Sequence, residues 1–399
     1  MRILDVSPRS TFPPQRGSAI RVYNLLRHLS ARHEVRQVSQ MEPIPWPRHA
    51  SREFRITPTY CEFQFVHPVA LLLSQLCERN WVSAPVLSGA VLRLLRPERL
   101  RRLLEWADVV LVEFPWQFEY CRRTKVSAPL VLACHNVESR KFESYARARG
   151  IDPSRSPWLR YIRRAEANAV ERADLVLAVS PDDRDELIRL YRIPPERVIE
   201  IPNGADAEKY SPVNSATRQA MKRKLGLPDG PTIIYIGSNV PPNQAGLEWV
   251  RRLAGIAGGF TFVVIGPLFP KPGRWANLIA TGKVEDAGAY FQAADIAVCP
   301  IEYGGGTKIK LLEALAAGLP SVVFQETLHG TRLTPGEHVL VAAKDTRALL
   351  AELNRVIEVP GLAERLGRAG GDFVRRHHDW RQIAGTLEQA FLQLVRRPE

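Results

Sequence analysis

The sequence predicts an α/β protein built of two doubly wound domains. Two successive series of short, β-branched apolar runs, spacings between runs that admit one helix each, and one cluster of Pro, Asn and Gly between the series predict it. Runs that are apolar on both faces and alternate with helical patterns are the signature of parallel strands covered by helices on either side. At 399 residues the chain also exceeds the roughly 250–300 at which one hydrophobic core stops growing.

The first series comprises residues 2–6, 33–38, 109–113, 130–134, 175–179 and 198–201; the second comprises 232–236, 261–265, 296–299, 321–324 and 339–341. Between them, from Ile201-Pro202-Asn203-Gly204 to Pro212, stands the turn-forming cluster expected of an interdomain linker. Amphipathic helices are predicted over 346–357 and 380–394. The expected organisation is an N-terminal domain over 1–203, a C-terminal domain over 204–378, and a final helical segment, 379–399, that crosses back to the N-terminal domain.

Composition narrows the class. With 45% hydrophobic and 24% charged residues, the chain reads as a folded globular protein. A net charge of +13 favours anionic partners. The basic run 96–102 reads first as a solvated helix face. Five cysteines without a CxxC pair argue against a disulfide framework or a zinc site, and fit a reducing compartment. The N-terminus opens on a strand-like pattern with no signal-peptide core, and the longest apolar stretch, residues 69–76, is too short to span a bilayer. A cytoplasmic location follows, with peripheral contact at the inner face of the cell membrane left open. No nucleic-acid-binding module and no aromatic stacking platform interleaved with basic residues is present, so nucleic acid is not an expected partner.

In doubly wound folds the chemistry lies in loops at the carboxyl ends of strands, and two such domains are expected to face across a cleft. After the first run, Gly17 and Ser18 open a helix whose free N–H groups and dipole suit a phosphate, with Arg21 one turn in as a forked donor or as an ordinary solvent-facing residue. His135, Asn136 and Glu138 follow the run 130–134 and are placed to touch a substrate hydroxyl. Gly237 and Ser238 follow the first run of the second domain, in a loop without a cation. Val284 lies in an expected edge strand whose backbone can pair with a flat base.

The most informative segment is Gly304-Gly305-Gly306-Thr307-Lys308-Ile309-Lys310-Leu311-Leu312-Glu313. Glycines after a strand make a loop whose N–H groups converge on an anion. A helix starting near Thr307 would carry Lys308 and Lys310 in its first turn, where the helix dipole disfavours cations unless an anion is bound. Glu313 is suited to hold a vicinal diol through paired hydrogen bonds; the competing reading is a salt bridge to Lys310 at i, i+3.

On these residues the chain resembles the retaining glycosyltransferases of family 4, with the GT-B fold. The resemblance runs through the Gly17 loop, the His135 strand end, residues 173–180, the Pro202-Asn203-Gly204 linker, the Gly237 loop, residues 290–300 and Glu313-Ala314-Leu315-Ala316-Ala317-Gly318-Leu319-Pro320. It implies transfer of a sugar from a nucleoside diphosphate to a hydroxyl-bearing acceptor, lipid-linked acceptors included, in polysaccharide, glycolipid or other glycoconjugate synthesis. Retention at the anomeric carbon, no metal and no cofactor beyond the donor substrate are implied with it. Glu313 then binds ribose, backbone near Val284 holds the base, and His135 supports catalysis beside Asn136 and Glu138.

The chain departs from the family pattern twice. Gly305 stands where the pattern has a second glutamate, eight residues before Glu313, and Ser238 and Asn243 stand where Arg and Lys neutralise the diphosphate. We therefore expect Lys308, supported by Lys310 and Arg21, to replace the missing cations. A nucleotide-sugar epimerase of the same fold and a basic binding protein for membrane or nucleic acid are the alternatives.

Overall fold

The computed structural model describes residues 1–40, 51–65, 77, 84–124 and 127–396. The apolar stretch 69–76 lies outside the described residues. The chain divides into two compact units, Met1–Pro202 joined by Arg381–Glu399, and Asn203–Trp380.

The first unit holds β1 (Arg2–Ser7), β2 (Glu34–Gln40), β3 (Arg52–Thr57), β4 (Tyr60–Phe65), β5 (Val109–Glu113), β6 (Leu130–Ala133), β7 (Leu175–Ala178) and β8 (Val198–Glu200). They form one sheet in the order β3-β4-β2-β1-β5-β6-β7-β8, parallel except for the β3–β4 pair. Val6, Val38, Val110, Val112, Leu132 and Val176 lie in one core cluster. Alternate residues point to opposite faces of a strand, and the other face is unusual in being polar at depth. Asp5 pairs in register with Gln37, and Gln37 with Glu62, and all three side chains are buried. The helical segment from Arg381 belongs to this unit, where Glu388 accepts from buried His33 at 2.8 Å.

The second unit holds β9 (Thr232–Ile236), β10 (Thr261–Ile265), β11 (Gly273–Trp275), β12 (Leu278–Gly282), β13 (Ile296–Cys299), β14 (Ser321–Val323) and β15 (Leu340–Val341). Their order is β11-β12-β10-β9-β13-β14-β15, parallel except for β11–β12. Both faces are apolar: Ile233, Tyr235, Val264 and Val298 enter one cluster, Ile234, Val263, Ile265 and Ala297 another. This double burial is why the strands read as continuous apolar runs, each such side chain contributing about 1.5–3 kcal/mol.

The structure departs from the sequence expectation where strands are exposed or short. The hairpin β3–β4 was not anticipated, because Arg52–Thr57 is an outer strand with mostly accessible side chains and no apolar run. Likewise the strand expected around Val284 ends earlier: β12 stops at Gly282, whose backbone takes φ +67°, and it lies inside the sheet, flanked by β11. The helix Leu362–His377, also unforeseen, packs closely on its neighbours because Gly367 would bring a Cβ to 2.2 Å from the Gly318 carbonyl oxygen.

Candidate active site

In each sheet the strand order reverses between two parallel neighbours: β1 and β5 in the first unit, β9 and β13 in the second. Loops leaving the carboxyl ends of such a pair diverge, and the crevice between them is where ligands bind in open α/β sheets. The predicted residues of the second unit sort onto this feature. Gly237 and Ser238 follow β9; Gly304 to Glu313 follow β13.

The β9 loop is tight and uncharged. Gly237 N–H donates to Ile265 O at 3.0 Å, and Asn243 Nδ2 donates to Ser238 O at 2.9 Å. Gly266 faces this loop so closely that a Cβ there would stand 2.0 Å from the Gly237 carbonyl oxygen, in addition to its φ of +111°. The loop presents backbone and hydroxyl groups and no cation.

After β13 the chain turns through Gly304 at φ +110° and Gly306 at φ +70°, both in the region that favours glycine. Thr307 Oγ1 donates to Gly330 O at 3.1 Å and fixes the end of the loop. The helix begins later than the sequence suggested, at Ile309, with Lys308 as its N-cap in extended conformation. Lys308 therefore precedes the first turn, and its Nζ donates back to Gly306 O at 2.7 Å and Gly305 O at 3.3 Å. A lysine held over the loop in this way satisfies the carbonyls and leaves the cation beside the glycines.

Lys310, within the first turn, donates to Glu313 Oε2 at 2.8 Å; the carboxylate side chain is only 7% exposed while that of Lys310 is 37% exposed. The salt-bridge reading of this pair thus coexists with a nearly buried carboxylate on a helix whose other residues, Leu311, Leu312, Ala314 and Leu315, are core. Burial and the Glu313 charge push the Tyr210 hydroxyl well above its ordinary range. Tyr210 packs edge-on against Phe291 at 5.2 Å. Val284, two residues beyond β12, packs partly buried on the same cluster as Phe291, Leu311 and Leu312. Tyr210 gave no signal as a site residue in the sequence, since it sits in the linker-like segment after Pro202.

In the first unit the helix Gly17–Leu29 starts at Gly17 with no side-chain cap. A cavity of about 110 Å³ lies at this end, lined by residues that include Ser7, Arg9, Thr11, Ser18 and Phe114. Gly17 is exposed and Ser18 half-buried. Arg21 corrects the expectation of a forked phosphate donor or a solvent-facing residue. It is 1% exposed, and its guanidinium donates to Ile201 O at 2.7 Å and Pro202 O at 2.8 Å. Burial lowers its pKa to about 10, with Glu113 opposing the shift, so it keeps its charge at neutral pH while bracing the end of the unit's last strand.

His135 follows β6 and is nearly buried. Its ring stacks on Phe114 with centroids 4.1 Å apart and planes 7° from parallel, and Nε2–H donates to Glu113 Oε2 at 2.5 Å. The register Glu113↔Ala133 explains the pairing: it sets the end of β5 beside the end of β6, two residues before His135. Asn136 Nδ2 donates to Glu138 Oε1 at 3.0 Å, and Lys141 Nζ lies 3.3 Å from Glu138 Oε2. The helix Glu138–Arg147 is held at its N-terminus by Glu166, which accepts from Glu138 N–H at 2.6 Å and Ser139 N–H at 3.2 Å. Glu113 and Glu166 were missed. An acidic residue ending an otherwise apolar strand was the available signal for Glu113; nothing local marks Glu166 in its helix.

Among the described residues no group of three or more His, Cys, Asp or Glu side chains is placed to hold a metal ion. Among them, too, no helix is long and apolar enough to cross a membrane. The run 96–102 lies partly in the helix Glu98–Trp106, where Arg101 and Arg102 pair with Glu98 on an exposed face.

Comparison with known proteins agrees with this geometry. The family model Glycosyltransferase Family 4 matches residues 15–209, and Glycosyl transferases group 1 matches residues 230–359. A D-inositol 3-phosphate glycosyltransferase of Streptomyces bingchenggensis is 26% identical over 292 residues, which span 67% of this chain and 62% of the relative. Sucrose-phosphate synthase from Thermosynechococcus elongatus has the same fold, with a TM-score of 0.75 at 17% identity over 99% of both chains. The Anabaena protein HepE, solved in complex with UDP-glucose, superposes with a TM-score of 0.70 at 14% identity over 98% of this chain and 100% of that one. With two glycosyltransferase domain models following one another on two doubly wound units, the chain is a glycosyltransferase of the GT-B fold, similar to those of family 4 and group 1.

Proposed function

We propose that the protein transfers a sugar from a nucleoside diphosphate sugar to a hydroxyl-bearing acceptor, with retention at the anomeric carbon and without a metal. The observation that carries this reading is the segment Gly304–Glu313: a glycine loop at the strand-order reversal, a lysine held over it, and a nearly buried carboxylate one turn further on. In this reading the Gly305, Gly306 and Thr307 amides and the Lys308 ammonium receive the diphosphate, with Lys310 in support. Glu313 accepts from the ribose hydroxyls, and backbone at Val284 pairs with the base. Gly237 and Ser238 border the phosphates from the β9 loop, and Gly17 and Ser18 offer helix-terminal N–H groups in the first unit.

A departing diphosphate gains negative charge in the transition state, so donors fixed beforehand lower the barrier more than donors that must reorganise. The acceptor proton goes to the leaving phosphate on the same face, and His135, with Asn136 and Glu138 beside it, hydrogen-bonds the reacting sugar or acceptor. Relatives support the substrate class: HepE is solved with UDP-glucose, and the Streptomyces relative is named for an inositol phosphate acceptor.

The test is thermal unfolding of wild type and Glu313→Ala with UDP, GDP, ADP and TDP sugars. A stabilising ligand raises the midpoint by mass action. One donor class should stabilise the wild type and fail to stabilise the variant; stabilisation of neither by any of the four overturns the reading.

A further inference from the structure

The first unit contains a group of buried polar side chains larger than its fold requires. Asp5 accepts from Gln37 Nε2 at 2.7 Å, and Gln37 Oε1 accepts from Tyr60 Oη at 2.6 Å and from Thr11 Oγ1 at 2.9 Å. Glu62 accepts from Ser39 Oγ at 2.6 Å and from the N–H groups of Thr11 and Phe12, each at 2.9 Å. Asp5 Oδ2 is buried without a hydrogen-bond partner. Burial and the Glu113 charge push the Asp5 carboxyl well above the usual range. Two carboxyls close together in a dry site do not both ionise.

We propose that Glu113 is the positioning residue for His135. This rests on the reading of His135 as the group that faces the reacting sugar or acceptor. By accepting from Nε2–H at 2.5 Å, Glu113 assigns the ring proton to that nitrogen. Nδ1, which has no hydrogen-bond partner among the described residues, is left as the nitrogen that meets substrate. Phe114 fixes the remaining freedom: stacking at 4.1 Å holds the ring plane, while the hydrogen bond sets its rotation within that plane. Phe114 adopts φ +68°, a conformation that side chains other than glycine rarely take, and so turns the chain sharply after β5 while its ring stays on the histidine. Phe114 also lines the cavity at the Ser18 end of the first helix, joining the histidine to a surface already assigned to ligand.

The arrangement is not needed for folding alone. A buried hydrogen-bonded carboxylate costs desolvation that an apolar pair of similar shape would avoid. Where a carboxylate orients a metal-bound imidazole, removing it typically lowers metal affinity or activity about tenfold to a hundredfold, and that scale is taken for this pair.

The experiment compares His135→Ala, Glu113→Gln and Glu113→Ala with wild type, in steady-state kinetics and by ¹⁵N NMR of the His135 ring. Glu113→Gln keeps shape and an acceptor oxygen but loses charge; Glu113→Ala loses both. Expected are kcat losses of about tenfold for Gln and a hundredfold for Ala with donor KM changed less than threefold. Both should give ring signals that depart from one fixed Nε2–H tautomer, more so in the Ala variant. Should Glu113→Ala fail to fold, the near-isosteric Gln variant carries the test. If His135→Ala is inactive while Glu113→Gln keeps wild-type kcat and the wild-type ring spectrum, the positioning role is overturned. If His135→Ala turns over like wild type, the reading of His135 itself fails, whatever the Glu113 variants show.

Discussion

Lys310 Nζ stands 2.8 Å from Glu313 Oε2, one helical turn away, and the exposed member of the pair is the lysine. The free protein thus satisfies one carboxylate oxygen and leaves the other able to accept from a ligand. On an isolated helix an i, i+3 pair contributes only a few tenths of a kcal/mol. Glu313→Gln should weaken donor affinity by about tenfold to a hundredfold, the scale of a lost hydrogen bond to a charged group. Lys310→Met should weaken it less than tenfold. Calorimetric titration of the donor class identified by thermal shift measures both, and equal losses would show that the pair acts as a unit.

Lys308 lies outside the helix proper, with its ammonium 2.7 Å from Gly306 O. If it stands in for the cations absent from the β9 loop, its contribution grows as the diphosphate departs. Lys308→Ala is expected to lower kcat by about thirtyfold to a hundredfold, equivalent to about 2–3 kcal/mol, with a smaller change in donor KM. Single-turnover rates of wild type and variant check this; an unchanged rate constant removes the phosphate role.

Arg21 gives the opposite expectation. Its guanidinium is committed to the carbonyls of Ile201 and Pro202, so Arg21→Met strands two acceptors and costs about 2–4 kcal/mol of stability. Donor KM measured well below the melting temperature should change less than twofold. A variant of wild-type stability with a raised donor KM would restore the direct phosphate role.

Asp5 predicts a pH dependence. Its pKa in the folded protein is raised, chiefly by burial and then by Glu113. The folded state therefore binds the proton more tightly than the unfolded state, and stability falls as pH rises. The contribution is fully present below the unfolded value near 3.9 and is lost as pH climbs through the folded value. Asp5→Asn removes this dependence. Urea unfolding between pH 5 and 8 should show wild type losing stability relative to the variant as pH increases, and a constant difference would mean that Asp5 is ionised throughout.

Much of the fold was legible because buried parallel strands carry their own signal. Thr232–Ile236 and Thr261–Ile265 are apolar on both faces and coincide with the predicted runs, since helices cover both sides of that sheet. The hairpin Arg52–Thr57 and Tyr60–Phe65 was not legible: an outer strand takes its identity from its partner, and its accessible side chains carry no periodic apolar signal. The donor segment was readable because glycine conformation and helix capping are local. Gly304 and Gly306 do adopt positive φ, although the helix start moved two residues along once Lys308 turned back onto the loop.

By itself the sequence determined that two doubly wound sheets form, where most of the buried strands run, and that a glycine-and-lysine loop leads into a helix bearing Glu313. Those properties depend on residues close together in the chain. Only the tertiary structure decided that Arg21 is spent on Ile201 and Pro202, and that Glu113 holds His135 with Asp5 buried behind it. These pairings arise from strand register and helix docking. They join residues up to 181 positions apart, and only burial, which desolvates a charge, determines which partner it must find.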